Sequence, residues 1–270
     1  MKRIAWMALA FFVTSYATEK LHPVLPPATS FSLQGTVELD EDVYSGDLEF
    51  SAEYAFHLRW SVYLDGAFRF LSYSYEYSTE GYIHNYCNLH VNGFNETYAG
   101  IKWLPLPYLG LDASWRFPPG EGSQKERFHR LKVEPFSQTN VSDWITLGTA
   151  LRYETFLEDR NYRPGDEIGF KASARFRLDW NDSLRTGWEL TGTFLYQARI
   201  EESENTNLDK PYRKMDDKYR GMKIRLDALL FFRMETLGRS AGIGLNYEIH
   251  EGTLFGFETG HRVGIKMKVR

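Results

Sequence analysis

Along WSVYLDGAFRF, residues 60–70, apolar and polar side chains alternate. Trp60, Val62, Leu64, Phe68 and Phe70 share one parity; Ser61, Asp65 and Arg69 share the other, with Tyr63 and Ala67. A period of two is that of a β-strand with two unlike faces. A soluble sandwich buries the apolar face and hydrates the charges. A membrane barrel turns the apolar face to lipid and the charges into a lumen.

The same alternation recurs along the chain and predicts about twelve strands, over 30–39, 47–56, 60–70, 96–104, 108–117, 127–136, 143–156, 167–180, 184–196, 221–234, 240–250 and 257–269. Most reach the nine to eleven residues or so that a tilted membrane strand needs. Between them, short connections (57–59, 105–107, 137–142, 181–183, 235–239) alternate with longer, polar ones (40–46, 78–95, 118–126, 158–166, 197–220, 250–256). Short turns at one end and long loops at the other are the habit of outer-membrane barrels, whose periplasmic turns are the short ones. The expected fold is therefore all-β: a single closed antiparallel transmembrane β-barrel of about 12 strands, with short periplasmic turns and long extracellular loops.

Aromatic positions sharpen this reading. The chain has 19 Phe, 17 Tyr and 7 Trp. Phe56, Trp60, Trp103, Trp180 and Phe232 fall near the short-turn end of the apolar face. Trp115, Phe117, Tyr153, Phe170, Phe194 and Tyr247 fall towards the other end. Two aromatic girdles bracketing an apolar band mark two membrane interfaces, which no soluble sandwich requires. The partner of the apolar face is then outer-membrane lipid. Mean hydropathy is negative, at −0.44. That suits a barrel, where only alternate residues meet lipid.

The chain opens Met1-Lys2-Arg3, followed by an apolar run from Ile4 to Val13 and then small residues at Ser15 and Ala17. This is the pattern of a secretory signal peptide, expected over 1–17 with cleavage after Ala17. Residues 18–29 read as an unstructured periplasmic lead-in, and 30–270 as the barrel domain. No other apolar run is long enough for a helical span. A single cysteine, Cys87, allows no internal disulfide. A net charge of −4 without a basic tail argues against nucleic acid as partner.

Taken together, these residues resemble the Gram-negative outer-membrane β-barrel proteins of porin-like type. The resemblance covers nearly all of 30–269 and is one of architecture rather than of a diagnostic motif. Such proteins usually end on an aromatic residue, whereas this chain ends Met267-Lys268-Val269-Arg270. The resemblance implies an outer-membrane location.

Alternation then assigns the lumen. The expected pore-lining cations are Arg69, Arg116, Arg152, Lys171, Arg175, Arg177, Lys223 and Arg225, and the anions Asp65, Asp112, Glu154, Glu189 and Asp227. They fit a charged channel passing small polar or anionic solutes. They fit equally a plug of ion pairs that fills the barrel, since twelve strands lie between filled and open sizes.

Other chemistry is thinner. His84, Cys87 and His90 in HNYCNLH could hold a soft metal, but no fourth ligand is evident. No G-x-S-x-G or H-E-x-x-H motif occurs. A lipid-modifying enzyme and an adhesive barrel acting through its loops are the alternatives to a channel, and no cofactor is expected. Facing also suggests a register around Asn181-Asp182-Ser183. It sets Arg175 opposite Glu189, Asp179 opposite Arg185, Phe176 opposite Trp188, and Arg177 opposite Gly187.

Overall fold

The structure, a computed structural model, describes residues 21, 23–39, 43–79, 82–117, 129–158, 162–163, 165–181, 186–200, 204–205, 220–234, 239–252 and 260–270. Fourteen strands follow in order: β1 (Ser30–Leu39), β2 (Val43–His57), β3 (Trp60–Thr79), β4 (Tyr82–Leu106), β5 (Leu109–Phe117), β6 (Arg130–Ser142), β7 (Ile145–Phe156), β8 (Tyr162–Arg163), β9 (Glu167–Asn181), β10 (Thr186–Arg199), β11 (Glu204–Asn205), β12 (Arg220–Met234), β13 (Arg239–Gly252) and β14 (Gly260–Val269). Twelve of them form one closed antiparallel barrel, each pairing with its neighbours in sequence and β1 closing on β14 from Phe31↔Val269 to Leu39↔His261. The two-residue strands β8 and β11 pair only with each other.

Closure satisfies the backbone around the whole ring. In hydrocarbon an unpaired N–H or C=O costs several kcal/mol, so a sheet can span lipid only without edges. Side chains follow from the pleat. Leu64, Leu226, Leu245 and Ile265 all face outward, and Leu245 is 62% exposed. Arg116 and Glu154 face inward and are 0% exposed. The protein is therefore inside-out relative to a water-soluble domain, with charges enclosed and large apolar side chains displayed. This inversion answers the two-sided reading of residues 60–70: Val62, Leu64 and Phe70 lie outside, while Ser61, Asp65 and Arg69 lie inside.

Aromatic side chains edge the outer face. Trp60 and Trp103 are direct cross-strand partners, and their rings stack at 5.4 Å and 20°. Towards the opposite end Trp115 stacks on Phe117 at 4.9 Å, and its indole N–H donates to His129 Nδ1 at 3.1 Å. Tyr247 and His261 pair there in the same way, Oη to Nδ1 at 2.7 Å. Trp and Tyr suit this depth because the ring is apolar and its polar edge is wet. Phe56, Tyr153, Phe170 and Phe232 are exposed as the girdles require, and Phe194 is half-buried. Trp180 lies outside the described side chains.

Three connections at one end, residues 58–59, 107–108 and 143–144, are two-residue turns. We call this the turn end. Tyr108 and Trp144, both exposed, sit in two of them.

The structure corrects several expectations. The polar stretch 78–95 is not a loop. β3 and β4 continue through it as a ribbon, paired from Trp60↔Trp103 to Thr79↔Tyr82 with register shifts between Gly66 and Phe68 and between Ser78 and Thr79. Polar side chains do not end a strand when the partner strand still supplies every second hydrogen bond. For the same reason β6 runs on to Ser142, through the segment 137–142 expected as a connection. The β9–β10 hairpin keeps the expected facing but slips by two residues. Glu189 lies opposite Arg177, Leu190 opposite Phe176, Thr191 opposite Arg175, and Gly187 opposite Asp179. The register shifts once more, between Thr186 and Gly187, near the turn. Arg185 lies outside the described residues.

Residues 23–29, assigned above to a lead-in, form no helix or strand, and they lie within the barrel wall. The run Pro23-Val24-Leu25-Pro26-Pro27 contains three prolines. Each lacks an N–H, which bars the run from the sheet and leaves fewer donors to satisfy inside.

The inverted faces generate a test. Leu226→Arg should lower stability by about 2–4 kcal/mol if the site faces the bilayer midplane. In a water-exposed position the same change stays within about 0.5 kcal/mol. Denaturant unfolding of the protein in phospholipid vesicles separates the two.

Candidate functional site

The lumen carries a layered network of ion pairs. In the half away from the turn end, Arg69 donates to both oxygens of Asp47 through Nε and Nη2, at 2.7 and 2.6 Å. Arg262 approaches the same carboxylate at 3.8 Å and Glu248 at 3.9 Å. Arg130 faces Glu154 at 3.6 Å and lies over the Phe156 ring at 4.5 Å. Arg199 holds Glu167 at 3.0 Å. The register places Arg116 directly opposite Arg130 and Asp112 directly opposite Glu134. Like charges across a ladder are destabilising. Each is compensated from elsewhere in the wall: Arg116 sits over the Tyr98 ring at 5.7 Å, and Asp112 accepts a hydrogen bond from Tyr63 Oη at 2.6 Å.

At mid-height, Glu134 on β6 receives Arg152 from β7 at 3.1 Å and Lys171 from β9. Across the lumen, Asp227 on β12 receives Arg225 at 3.0 Å and Lys266 at 2.9 Å. Arg225 also reaches Gln34 on β1, skipping over β13 and β14 along the ring.

Near the turn end the balance changes. Glu189 on β10 is approached by Arg177 at 3.4 Å, by Lys268 at 3.5 Å and by the terminal Arg270. Arg175, two residues from Arg177 on the same face, donates to Thr146 Oγ1 at 3.1 Å. Three cations thus contact one carboxylate, and a fourth, Arg175, stands beside them. Arg270 is held by more than its charge. Its backbone exchanges two hydrogen bonds of 2.9 Å with Ser240, and its guanidinium lies 3.8 Å from the centre of the Phe231 ring.

A cavity of about 270 Å³ opens here, between residues 23–28 and the wall. Nine of its lining side chains are Lys or Arg and four are Asp or Glu. The aromatic floor beside it depends on glycines. The Tyr63 ring lies across Gly100 and the Phe136 ring across Gly110, each glycine being the cross-strand partner of its ring. A Cβ at either would come within 2.3 Å of the ring atoms. Each glycine therefore lets an inward ring lie flat against the sheet and leaves the space above it clear.

All thirteen lumen positions read from the sequence are inward, and all are buried except Arg175 and Arg177, which are half-buried at the cavity. Sequence reasoning missed the part played by Arg270, by Tyr63 and Phe136, and by residues 23–29. Arg233, by contrast, shares the inward parity but lies exposed at the end of β12. His84, Cys87 and His90 are strand positions on β4, opposite Ser78, Tyr75 and Ser72. Their side chains lie outside the described residues.

No protein-family model matches the sequence, and no curated protein matches it either. Solved structures do resemble the fold. The COG4313 outer membrane channel from Pseudomonas putida F1 superposes with a TM-score of 0.59 at 10% identity, over 93% of this chain and 98% of that one. The β domain of the Bordetella autotransporter BrkA gives 0.50 at 8% identity, over 88% and 98%. The KdgM porin gives 0.45 at 10%, over 87% and 97%. The chain has the fold of an outer-membrane β-barrel.

Breaking the mid-height network should be costly. Glu134→Gln keeps the shape but leaves the Arg152 and Lys171 cations without their shared carboxylate. Removing one partner of a buried pair costs about 3–5 kcal/mol. The expected result is a matching fall in unfolding free energy, measured by urea titration in vesicles.

Proposed function

We propose that the protein is a channel of the Gram-negative outer membrane, passing small polar or anionic solutes through its charged lumen. Residues 1–17 serve as the cleaved export signal. The observation that carries the reading is the excess of cations among the described side chains at the turn end, where Arg175, Arg177, Lys268 and Arg270 gather around Glu189 and line a cavity with nine Lys or Arg to four Asp or Glu. A barrel filled only for stability has no need of such a surplus. A surplus of one sign in a low-dielectric wall concentrates solutes of the other sign and sets selectivity.

The remaining inward charges act as the channel's frame. Asp65, Asp112, Arg152 and Lys171 share the lining of that cavity, and Glu154, Asp227, Arg69, Arg116, Lys223 and Arg225 are buried in the rest of the wall. Their pairing keeps the lumen polar, and the surplus below it gives direction to an anion's path.

The test is planar-bilayer recording of purified full-length protein in asymmetric KCl. The reversal potential should show a preference for chloride over potassium. Arg175→Gln combined with Arg177→Gln and Lys268→Gln should move it towards the value of a non-selective pore. A cation-selective wild type, or a triple variant with undiminished anion preference, rejects the assignment. Absence of conductance together with turnover of added lipid favours an enzyme instead.

A further inference from the structure

The segment before β1 crosses the lumen. The Val24 N–H donates to Ser173 Oγ on β9 at 3.0 Å, and the Ala28 N–H donates to Glu53 Oε1 on β2 at 3.1 Å. In the ring of twelve strands β9 and β2 stand six places apart, on opposite sides of the barrel. Four residues of extended chain reach roughly 13 Å, so the stretch between these contacts is drawn across the lumen rather than along its wall. Between them, Val24 is 5% exposed and packs in a pocket of Leu104, Phe136 and Ala150, supplied by β4, β6 and β7.

We propose that residues 23–29 are a tethered plug that closes the turn end of the channel and opens it by leaving this seat. The proposal rests on the channel reading above. Three observations make the segment a plug rather than part of the frame. The twelve strands complete their ladder without it, so its departure leaves no strand edge. The described hydrogen bonds tying residues 23–29 to the wall are three, Val24 N–H to Ser173, Ala28 N–H to Glu53 and Ala55 N–H to Thr29 Oγ1, each accepted by a side-chain oxygen, and prolines occupy three of the seven positions. Pro23–Thr29 carries no ionisable side chain, so it obstructs the cavity without neutralising the cations there. The wall is shaped to receive it. A Cβ on Gly148 would lie 2.7 Å from Val24 Cβ and 2.8 Å from its carbonyl oxygen, both too close. The missing side chain at position 148 is the space that Val24 occupies.

The experiment compares three full-length proteins in planar bilayers: wild type, Val24→Arg and Gly148→Ala. The first variant puts a cation into an apolar pocket beside other cations. The second evicts Val24 from the wall side and leaves the plug's own sequence untouched. Heat-dependent gel mobility confirms that each barrel is folded. The expected result is a low, intermittent wild-type conductance, raised severalfold in mean value by both variants with the anion preference retained. Wild-type conductance in both folded variants overturns the plug and leaves the channel standing. Absence of conductance in all three overturns the plug and the channel together.

Discussion

Everything in this structure depends on the pairing of β1 with β14. Within a bilayer there is no water to satisfy a strand edge, so the sheet either closes or cannot stay. Closure couples residues 238 positions apart at Phe31↔Val269, and it fixes the sense of every side chain in the wall. Once the ring is closed, one parity must meet lipid and the other must meet whatever the barrel encloses. The charged interior is a consequence of that geometry as much as of composition.

An enclosed set of charges must then be balanced by partners, and the wall does this unevenly. Arg69 with Asp47 is a bidentate pair within one hairpin. Glu134 and Asp227 each gather two cations from neighbouring strands. At the turn end, among the described side chains, Glu189 gathers three, and the cavity and residues 23–28 lie there. Paired charges line much of the wall, and the cation-rich cavity lies beside residues 23–28.

Much of this was legible in the alternation of the sequence, and the limits of that signal have a physical cause. A period of two gives facing with little ambiguity, which is why Asp65, Lys171 and Glu189 could be placed inside from their neighbours alone. The same period is blind to a slip of two residues, because such a slip leaves every side chain on its own face. The expected Arg175–Glu189 pair was therefore lost to Arg177–Glu189. Nor does a strand's pattern show what lies across the lumen, so the contact of Arg225 with Gln34 had no local sign. Residues 23–29 have no periodicity at all. Their prolines excluded a strand, but an excluded strand can trail outside the wall as easily as thread through it. The polar run 78–95 misled for the opposite reason: a ribbon beyond the lipid no longer needs one apolar face, so it loses the alternation while keeping its ladder.

That ribbon changes the protein's outline. β2 stops pairing with β3 at Tyr73, and β5 stops pairing with β4 at Thr97. Beyond those points, among the described residues, the two strands pair only with each other, through to Thr79↔Tyr82. At roughly 3.3 Å per residue, the six further positions of β3 carry the ribbon some 20 Å past its last neighbour. Among the described residues, no strand lies alongside either of its edges there. A membrane protein whose wall abolishes edges therefore raises two of them clear of the wall, where another chain could lengthen the sheet by a strand.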